Sequence, residues 1–462
     1  MMEIKPLTPS IGTHSPKRAL AIIIVDIILF IILYNILPFD TKANSGICLL
    51  IFIGILWLTE AIHVTITALL VPVLAVALGL LDTSNALKSF ANPVIFLFFG
   101  GFALATALHI QGVDRHIANR MIKLAGGKMW LAVIMLFLVT ALLSMWISNT
   151  ATAAMMLPLG LGILSNIDAS HDRKTFVFVI LGIAYSSTIG GFGTLVGSPP
   201  NAIAAAQLGL DFFSWMKLGV PFMIVMLPSC IFLMFIVLRP KLNFTFNMKE
   251  EDFHWNFHSI ASIVIFALTA LCWIFSVKIS EYFGGVKDLD SLIAIAAAVA
   301  IGFTGTASWT QIQKNTEWGV LWLFGGGLAL SGILKDSGAS LVMANGMAHI
   351  FGSSNWLIII VAVTTFVVLL TEFTSNTASA ALLVPVFATV GEAIGMPTAL
   401  LALVIGFGAS CGFMLPVGTP PNAIAYGTGY IRQIEMIKVG MWLNVISIII
   451  VSLFAWFIWR FI

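Results

Sequence analysis

The chain has 462 residues, 60% of them hydrophobic and only 9% charged, against about 25% charged in a soluble domain. Its 22 basic and 20 acidic residues leave a net charge of +2, which excludes a basic face for nucleic acid. Apolar runs near the roughly 20 residues of a spanning helix, instead of alternating segments of about ten, exclude an outer-membrane barrel and indicate an all-α polytopic membrane protein whose partners are small solutes and lipid.

A polar N-terminal segment, residues 1–18, precedes an apolar run at 19–38 that is too long for the core of a secretion signal and reads as a retained first span. Further spans follow at 46–60, 64–82 and 92–110. The stretch 112–126 then carries Asp114, Arg115, His116, Arg120 and Lys123 between apolar residues, the pattern of a helix lying in the interface. Residues 129–165 hold Ser148, Asn149 and Thr150 between two apolar runs, and spans at 173–208 and 214–238 lead to a polar linker at 239–256. The remainder repeats this order, with spans at 257–277, 289–305 and 317–335, an interfacial stretch at 337–351, a segment at 355–393 holding Ser375, Asn376 and Thr377, and spans at 397–428 and 436–461.

The repetition extends to residues. Positions 147–154 return at 374–381, an offset of 227; positions 98–104 return at 324–330, an offset of 226; and 197–204 return at 418–425, an offset of 221. Three blocks in one order at similar offsets indicate internal duplication. With the N-terminus cytoplasmic, fifteen of the 22 Lys and Arg fall on the inner side, provided that 129–165 and 355–393 each return to the side they start from. The expected architecture is then about 11 transmembrane helices plus two re-entrant hairpins, and an odd number of crossings between equivalent points makes the two repeats inverted. The run from Thr150 to Leu164 reaches only about 21 Å at 1.5 Å per residue, short of a roughly 30 Å hydrocarbon core, so the hairpin tip stops inside the membrane.

Cys48, Cys230, Cys272 and Cys411 are scattered in apolar segments, and the eight His form no metal-binding pair, so neither a disulfide, a cysteine-metal site nor an enzyme is expected. The chemistry lies in the repeated motifs. Pro199-Pro200 and Pro420-Pro421 break a helix and free carbonyls near Gly197 and Gly418. Those carbonyls and the hairpin-tip Ser, Asn and Thr form a neutral, oxygen-only set that suits a hard alkali cation, sodium first. Symmetry supplies each half with a hydroxyl (Ser144 or Thr371), a Ser (Ser148 or Ser375), an Asn (Asn149 or Asn376) and a carbonyl (Gly197 or Gly418), which predicts two equivalent cation sites.

Asn149 and Thr150, like Asn376 and Thr377, open a new helix whose first N–H groups are free to meet a carboxylate. Such a terminus offers about 0.3–1 kcal/mol, roughly 2 when partly buried, against several kcal/mol of desolvation per ion. No Lys or Arg lies between Lys174 and Lys217 or between Lys335 and Arg432, so anion binding has to depend on bound cations. One Ser-Asn-Thr is an ordinary helix cap and one Pro-Pro an ordinary kink; their paired recurrence favours a binding site. The Gly-rich stretches at 98–104 and 324–330 read as close helix packing. Glu372 stands beside the second tip where the first half has Met145.

On these residues the chain resembles the divalent anion/sodium symporter family and looks like its bacterial INDY-type dicarboxylate transporters. The resemblance implies sodium at Ser144, Ser148, Asn149 and Gly197 and at Thr371, Ser375, Asn376 and Gly418, with two or more ions and no organic cofactor. It implies dicarboxylate contacts from Asn149, Thr150, Ser198, Asn376, Thr377 and Thr419, with Pro199 and Pro420 shaping the floor. It further implies a homodimer in the inner membrane, in which residues 129–238 and 355–462 move as an elevator against scaffold helices at 19–126 and 257–351, carrying succinate, malate or fumarate. A citrate or sulfate symporter and a passive anion channel are the alternatives.

Overall fold

The computed structural model describes residues 16–165, 167, 172–245, 253–351 and 355–462. Most of the N-terminal segment and residues 246–252 of the linker lie outside the described residues. Everything described is helical apart from connections and one isolated bridge between Lys128 and Thr245. Among the described residues, eight helices are long and apolar enough to cross a bilayer alone, and several shorter apolar helices accompany them.

The helices fall where the periodicity places them. Pro16–Ile36, Thr41–Thr59, Val64–Ala77 and Pro93–Ile110 come first, with Val113–Lys123 as the amphipathic piece. Leu289–Thr304, Trp318–Asp336 and Ala339–Phe351 repeat the last three of these, preceded by Phe257–Ile274. Two short helices, Thr83–Lys88 and Trp309–Asn315, escape the hydropathy pattern because they are polar; they too are 226 residues apart. Among the described residues, Pro16–Ile36 has no counterpart in the second half. Its outer face is apolar and exposed, as befits a lipid-facing helix.

The duplication is also a two-fold packing relation. A Cβ on Gly100 would lie 2.5 Å from Ala294 Cβ, and one on Gly326 would lie 2.7 Å from Ala68 Cβ. Both pairs map onto each other at an offset of 226, so the helix Pro93–Ile110 meets Leu289–Thr304 as Trp318–Asp336 meets Val64–Ala77. Such reciprocal contact is what a two-fold axis generates. Phe98 and Phe324, themselves equivalent, meet with ring centroids 4.9 Å apart. The Gly-rich stretches therefore serve backbone approach, as small residues do between membrane helices.

Inside this frame each half places a helical hairpin and a broken helix. The first hairpin joins Met129–Ser144 to Asn149–Leu164, and the second joins Trp356–Thr371 to Asn376–Ala393. An arm of 16 residues spans about 24 Å, short of the bilayer core. The first broken helix runs Arg173–Gly190, passes through a short 3-10 turn and a non-helical stretch, and resumes as Pro199–Leu208. The second runs Thr398–Gly408 and resumes as Pro420–Gly427. The sequence leads one to expect prolines inside a span; they instead open the second piece, where a missing N–H costs nothing and the fixed φ suits a helix start. Residues 175–198 are buried throughout, which puts the first broken helix at the centre of the molecule.

Candidate functional site: two hairpin tips around one cavity

Ser148 and Ser375 are the N-caps of the second hairpin arms, and each hydroxyl accepts from the N–H three residues on, Ala151 or Ala378, at 3.4 Å. The caps are long, and the helix starts at Asn149 and Asn376 leave N–H groups without an intrahelical acceptor. Beneath each tip lies the predicted hydroxyl. Ser144 Oγ is 2.7 Å from Asn149 Oδ1, and Thr371 Oγ1 is 2.6 Å from Asn376 Oδ1. Both hydroxyl residues are fully buried, so they support the tips from below.

Around Asn149 three oxygens converge on one end of its amide. One terminal atom of its amide faces Ser144 Oγ at 2.7 Å, the Ser187 carbonyl at 3.0 Å and the Gly197 carbonyl at 3.2 Å. With the amide nitrogen at that point all three are hydrogen-bonded; with the oxygen there, four oxygens converge with one hydroxyl proton among them. An amide orientation is set by what it faces. A monovalent hard cation relieves such a set, because each oxygen then has a positive partner. In the second half Thr371 Oγ1 lies within hydrogen-bond distance of both Asn376 Oδ1 and the Ala409 carbonyl, at 2.6 and 2.7 Å, again with one proton for three oxygens. The donor sets fit sodium. The carbonyls of Ser187 and Ala409 are members that sequence reasoning misses, because a backbone oxygen carries no residue signature.

The tips and the proline segments bound a single cavity of about 1010 Å³. Ser148, Asn149, Thr150, Gly197, Ser198 and Pro199 line it from the first half, and Ser375, Asn376, Thr377, Gly418, Thr419 and Pro420 line it from the second. Only Ser144 and Thr371 of the predicted residues stand behind the wall. Gly197 is brought to Asn149, whereas a Cβ on Gly418 would first meet Glu372 Oε2, at 3.1 Å. Ser198 and Ser410 hydroxyls, 212 residues apart, approach to 3.4 Å across the halves.

The opposite wall was not anticipated. Phe98 and Phe102 contribute apolar surface, and Arg18, Glu60 and Glu317 bring charge from three further helices. The expectation that no basic group reaches the site is thereby corrected: Arg18, at the start of the first helix, lines the cavity through folding and not through sequence proximity. Glu317 and Ser148 line the same cavity. Two carboxylates against one guanidinium leave the wall unfavourable to a dianion unless cations are present.

Glu372 is turned away from the tip. Oε1 accepts from Phe413 N and Met414 N, both at 2.8 Å, and from Asn444 Nδ2 at 2.6 Å, while Oε2 accepts from Leu415 N at 2.9 Å. These N–H groups are the ones freed where the second broken helix comes apart. The carboxylate is fully buried and held by charge-assisted bonds, which are about twice as strong as neutral ones.

The citrate transporter family profile matches residues 54–406 and 291–462, together most of the chain. A transporter of Haemophilus influenzae, named as uncharacterized, is 56% identical over 445 residues, 95% of this chain and 96% of its own length. The sodium-dependent dicarboxylate transporter SdcS of Staphylococcus aureus (strain MRSA252) is 34% identical over 450 residues, 90% of this chain and 86% of its own. Among solved structures, the YdaH transporter of Alcanivorax borkumensis superposes with a TM-score of 0.58 at 14% identity, covering 86% of this chain and 99% of that one, a likeness of fold. The chain is an integral membrane transporter and belongs to the citrate transporter family, related to the divalent anion/sodium symporters that its motifs resemble.

Proposed function

We propose that this transporter is a sodium-coupled symporter of C4 dicarboxylates. The observation that carries the reading is the single cavity walled by both tips and both proline segments, each tip seated on a cluster of side-chain and carbonyl oxygens. Sodium is held by Ser144, Ser148, Asn149 and Gly197 and by Thr371, Ser375, Asn376 and Gly418, as two or more ions. The dicarboxylate meets Asn149, Thr150, Ser198, Asn376, Thr377 and Thr419 over a floor of Pro199 and Pro420. Helix termini worth roughly 2 kcal/mol at best, with one guanidinium set against two carboxylates, do not offset the desolvation of a dianion, so the anion binds when the cations do. Reciprocal linkage then makes each ligand raise the affinity of the other, the basis of symport.

The moving part is residues 129–238 with 355–462, and the scaffold is 19–126 with 257–351. In support, several bonds knit the two motif-bearing halves to each other. Arg173 and Glu435 form a bidentate pair at 2.8 and 3.0 Å, and Tyr185 Oη donates to the Phe413 carbonyl at 2.8 Å. The reciprocal Gly–Ala packing, by contrast, lies wholly within the scaffold. A body tied internally and sliding on a frame is an elevator. The protein sits as a homodimer in the inner membrane, N-terminus inside and C-terminus outside. Arg18, Glu60 and Glu317 all fall on the N-terminal side of that topology, so the cavity opens inward.

Uptake of succinate into proteoliposomes under an inward sodium gradient is the test, with citrate and sulfate as competitors. Full-rate uptake without sodium sinks the reading. Citrate is the second reading, favoured by the family's description, and citrate displacing succinate at lower concentration than malate or fumarate would establish it. More than two sodium ions per dianion makes uptake respond to potential at about 2.3 kcal/mol per net charge per 100 mV.

A further inference from the structure

Asn201 and Asn422, which follow the two proline pairs, stand behind the cavity and make the same contacts in each half. Both are fully buried. Asn201 Nδ2 donates to the carbonyls of Gly191 and Thr194, at 2.7 and 2.8 Å. Asn422 Nδ2 donates to those of Gly412 and Leu415, at 3.1 Å each. Donors and acceptors all map across the halves at the offset of 221. Each amide thus bridges the stretch where its helix has come apart. In both, the amide oxygen is buried without a hydrogen-bond partner among the described residues, so the side chain is used for its two N–H donors alone.

The bridged peptides abut the cation end of the site. A Cβ on Gly191 would fall 2.6 Å from Asn149 Oδ1, and one on Gly197 would fall 2.5 Å from the Gly191 carbonyl, so the Gly191 peptide is wedged between two of the predicted sodium ligands. In the second half, Gly418 N donates at 3.1 Å to the Leu415 carbonyl that Asn422 also holds. A Cβ on Gly412 would lie 3.5 Å from the Thr371 carbonyl and 3.7 Å from Asn376 Oδ1.

We infer that Asn201 and Asn422 are positioning residues for the two cation sites. Each fixes an unwound turn from behind, so that the Asn149–Gly197 and Asn376–Gly418 pairs keep the spacing a sodium ion needs. Neither touches ion or substrate. The inference rests on the sodium-coupled reading above and adds who holds the ligands in place. An amide suits the task because it offers two N–H groups in one plane and no charge to compete with the ion.

The test uses the full-length protein in proteoliposomes, normalised to monodisperse reconstituted protein, and reads the sodium concentration that half-saturates succinate uptake. Asn201→Leu and Asn422→Leu keep the size and lose only the donors, because the oxygen has no partner to lose. Half-saturating sodium should rise about ten- to a hundredfold, the usual loss when an outer-shell partner of a metal ligand is removed, while maximal uptake recovers at high sodium. Asn201→Asp and Asn422→Asp keep the shape, remove the donors and add a negative charge; they too should need more sodium. Asn201→Gln and Asn422→Gln keep the donors and should lie between wild type and Leu, while the Asp variants carry the comparison where a Leu variant does not fold. An unchanged sodium requirement in folded Leu variants, or an unchanged or lowered one in the Asp variants, overturns the inference while leaving symport intact. Wild-type uptake indifferent to sodium overturns the functional reading and this inference together.

Discussion

Ahead of the first Ser-Asn-Thr stands Met145, packed so closely on Gly193 that a Cβ there would lie 2.8 Å from its methyl carbon. Ahead of the second stands Glu372, whose carboxylate gathers three consecutive backbone N–H groups and an asparagine amide. The unwound stretches they serve differ likewise. Val196 is only 8% exposed, whereas its equivalent, Val417, is 75% exposed to the cavity they both line. The first tip is also flanked by Trp146 stacked on Phe212 and edge-on to Phe266, while Phe373 at the second tip is 70% exposed. A non-helical segment inside a bilayer has to satisfy its backbone from its own surroundings. In the first half neighbours do this: the Thr194 hydroxyl donates to the Met145 carbonyl, and Trp215 Nε1 donates to the Phe192 carbonyl. In the second half, where the segment is the more exposed, one carboxylate does it from within. Equal motifs are thus compatible with unequal support.

The sharpest challenge to this comparison is at the tips themselves. Asn149→Ala and Asn376→Ala should each abolish sodium-driven succinate uptake and lose sodium and substrate binding together, read as thermal stabilisation by each ligand; loss of one alone contradicts shared tips. Next come the equivalent glycines. Gly191→Ala puts a methyl 2.6 Å from the Asn149 amide and should cost about 1–3 kcal/mol of stability with a large loss of uptake. Gly412→Ala meets nothing nearer than 3.5 Å and should be close to neutral in the same uptake and melting measurements. Equal outcomes at the two positions would mean that the halves are equally packed. Glu372→Gln turns one acceptor into a donor facing other donors and should cost about 2 kcal/mol, seen as a lowered melting temperature in detergent, whereas Met145→Leu should cost under about 1.5. The smallest effect on transport, and the most direct view of the asymmetry, is labelling. Val417→Cys should react with a polar maleimide from the cavity side while Val196→Cys stays protected, and equal labelling would erase the difference.

Much of the fold is legible in the sequence because a bilayer leaves few choices. Long apolar runs have to be helices, and blocks returning at 98–104 and 324–330, at 147–154 and 374–381, and at 197–204 and 418–425 mark the duplication before any coordinate is known. Twelve of the fourteen predicted site residues line one cavity, because motif residues sit at chain breaks that symmetry brings to one place. The short helices Thr83–Lys88 and Trp309–Asn315 are not legible, since hydropathy is silent on polar turns.

The chain's composition and its paired motifs by themselves determined a duplicated, all-helical membrane protein with two equivalent hairpin tips. Which oxygens face Asn149, where Glu372 spends its charge, that Arg18 reaches the cavity and that Asn201 and Asn422 brace the broken helices were decided only by tertiary structure. The physical reason is range. Hydrophobic periodicity and helix breaking act over a few residues and are written locally, while hydrogen bonds between groups 10 and 72 positions apart, and a salt bridge 262 apart, exist only once the chain has folded back on itself.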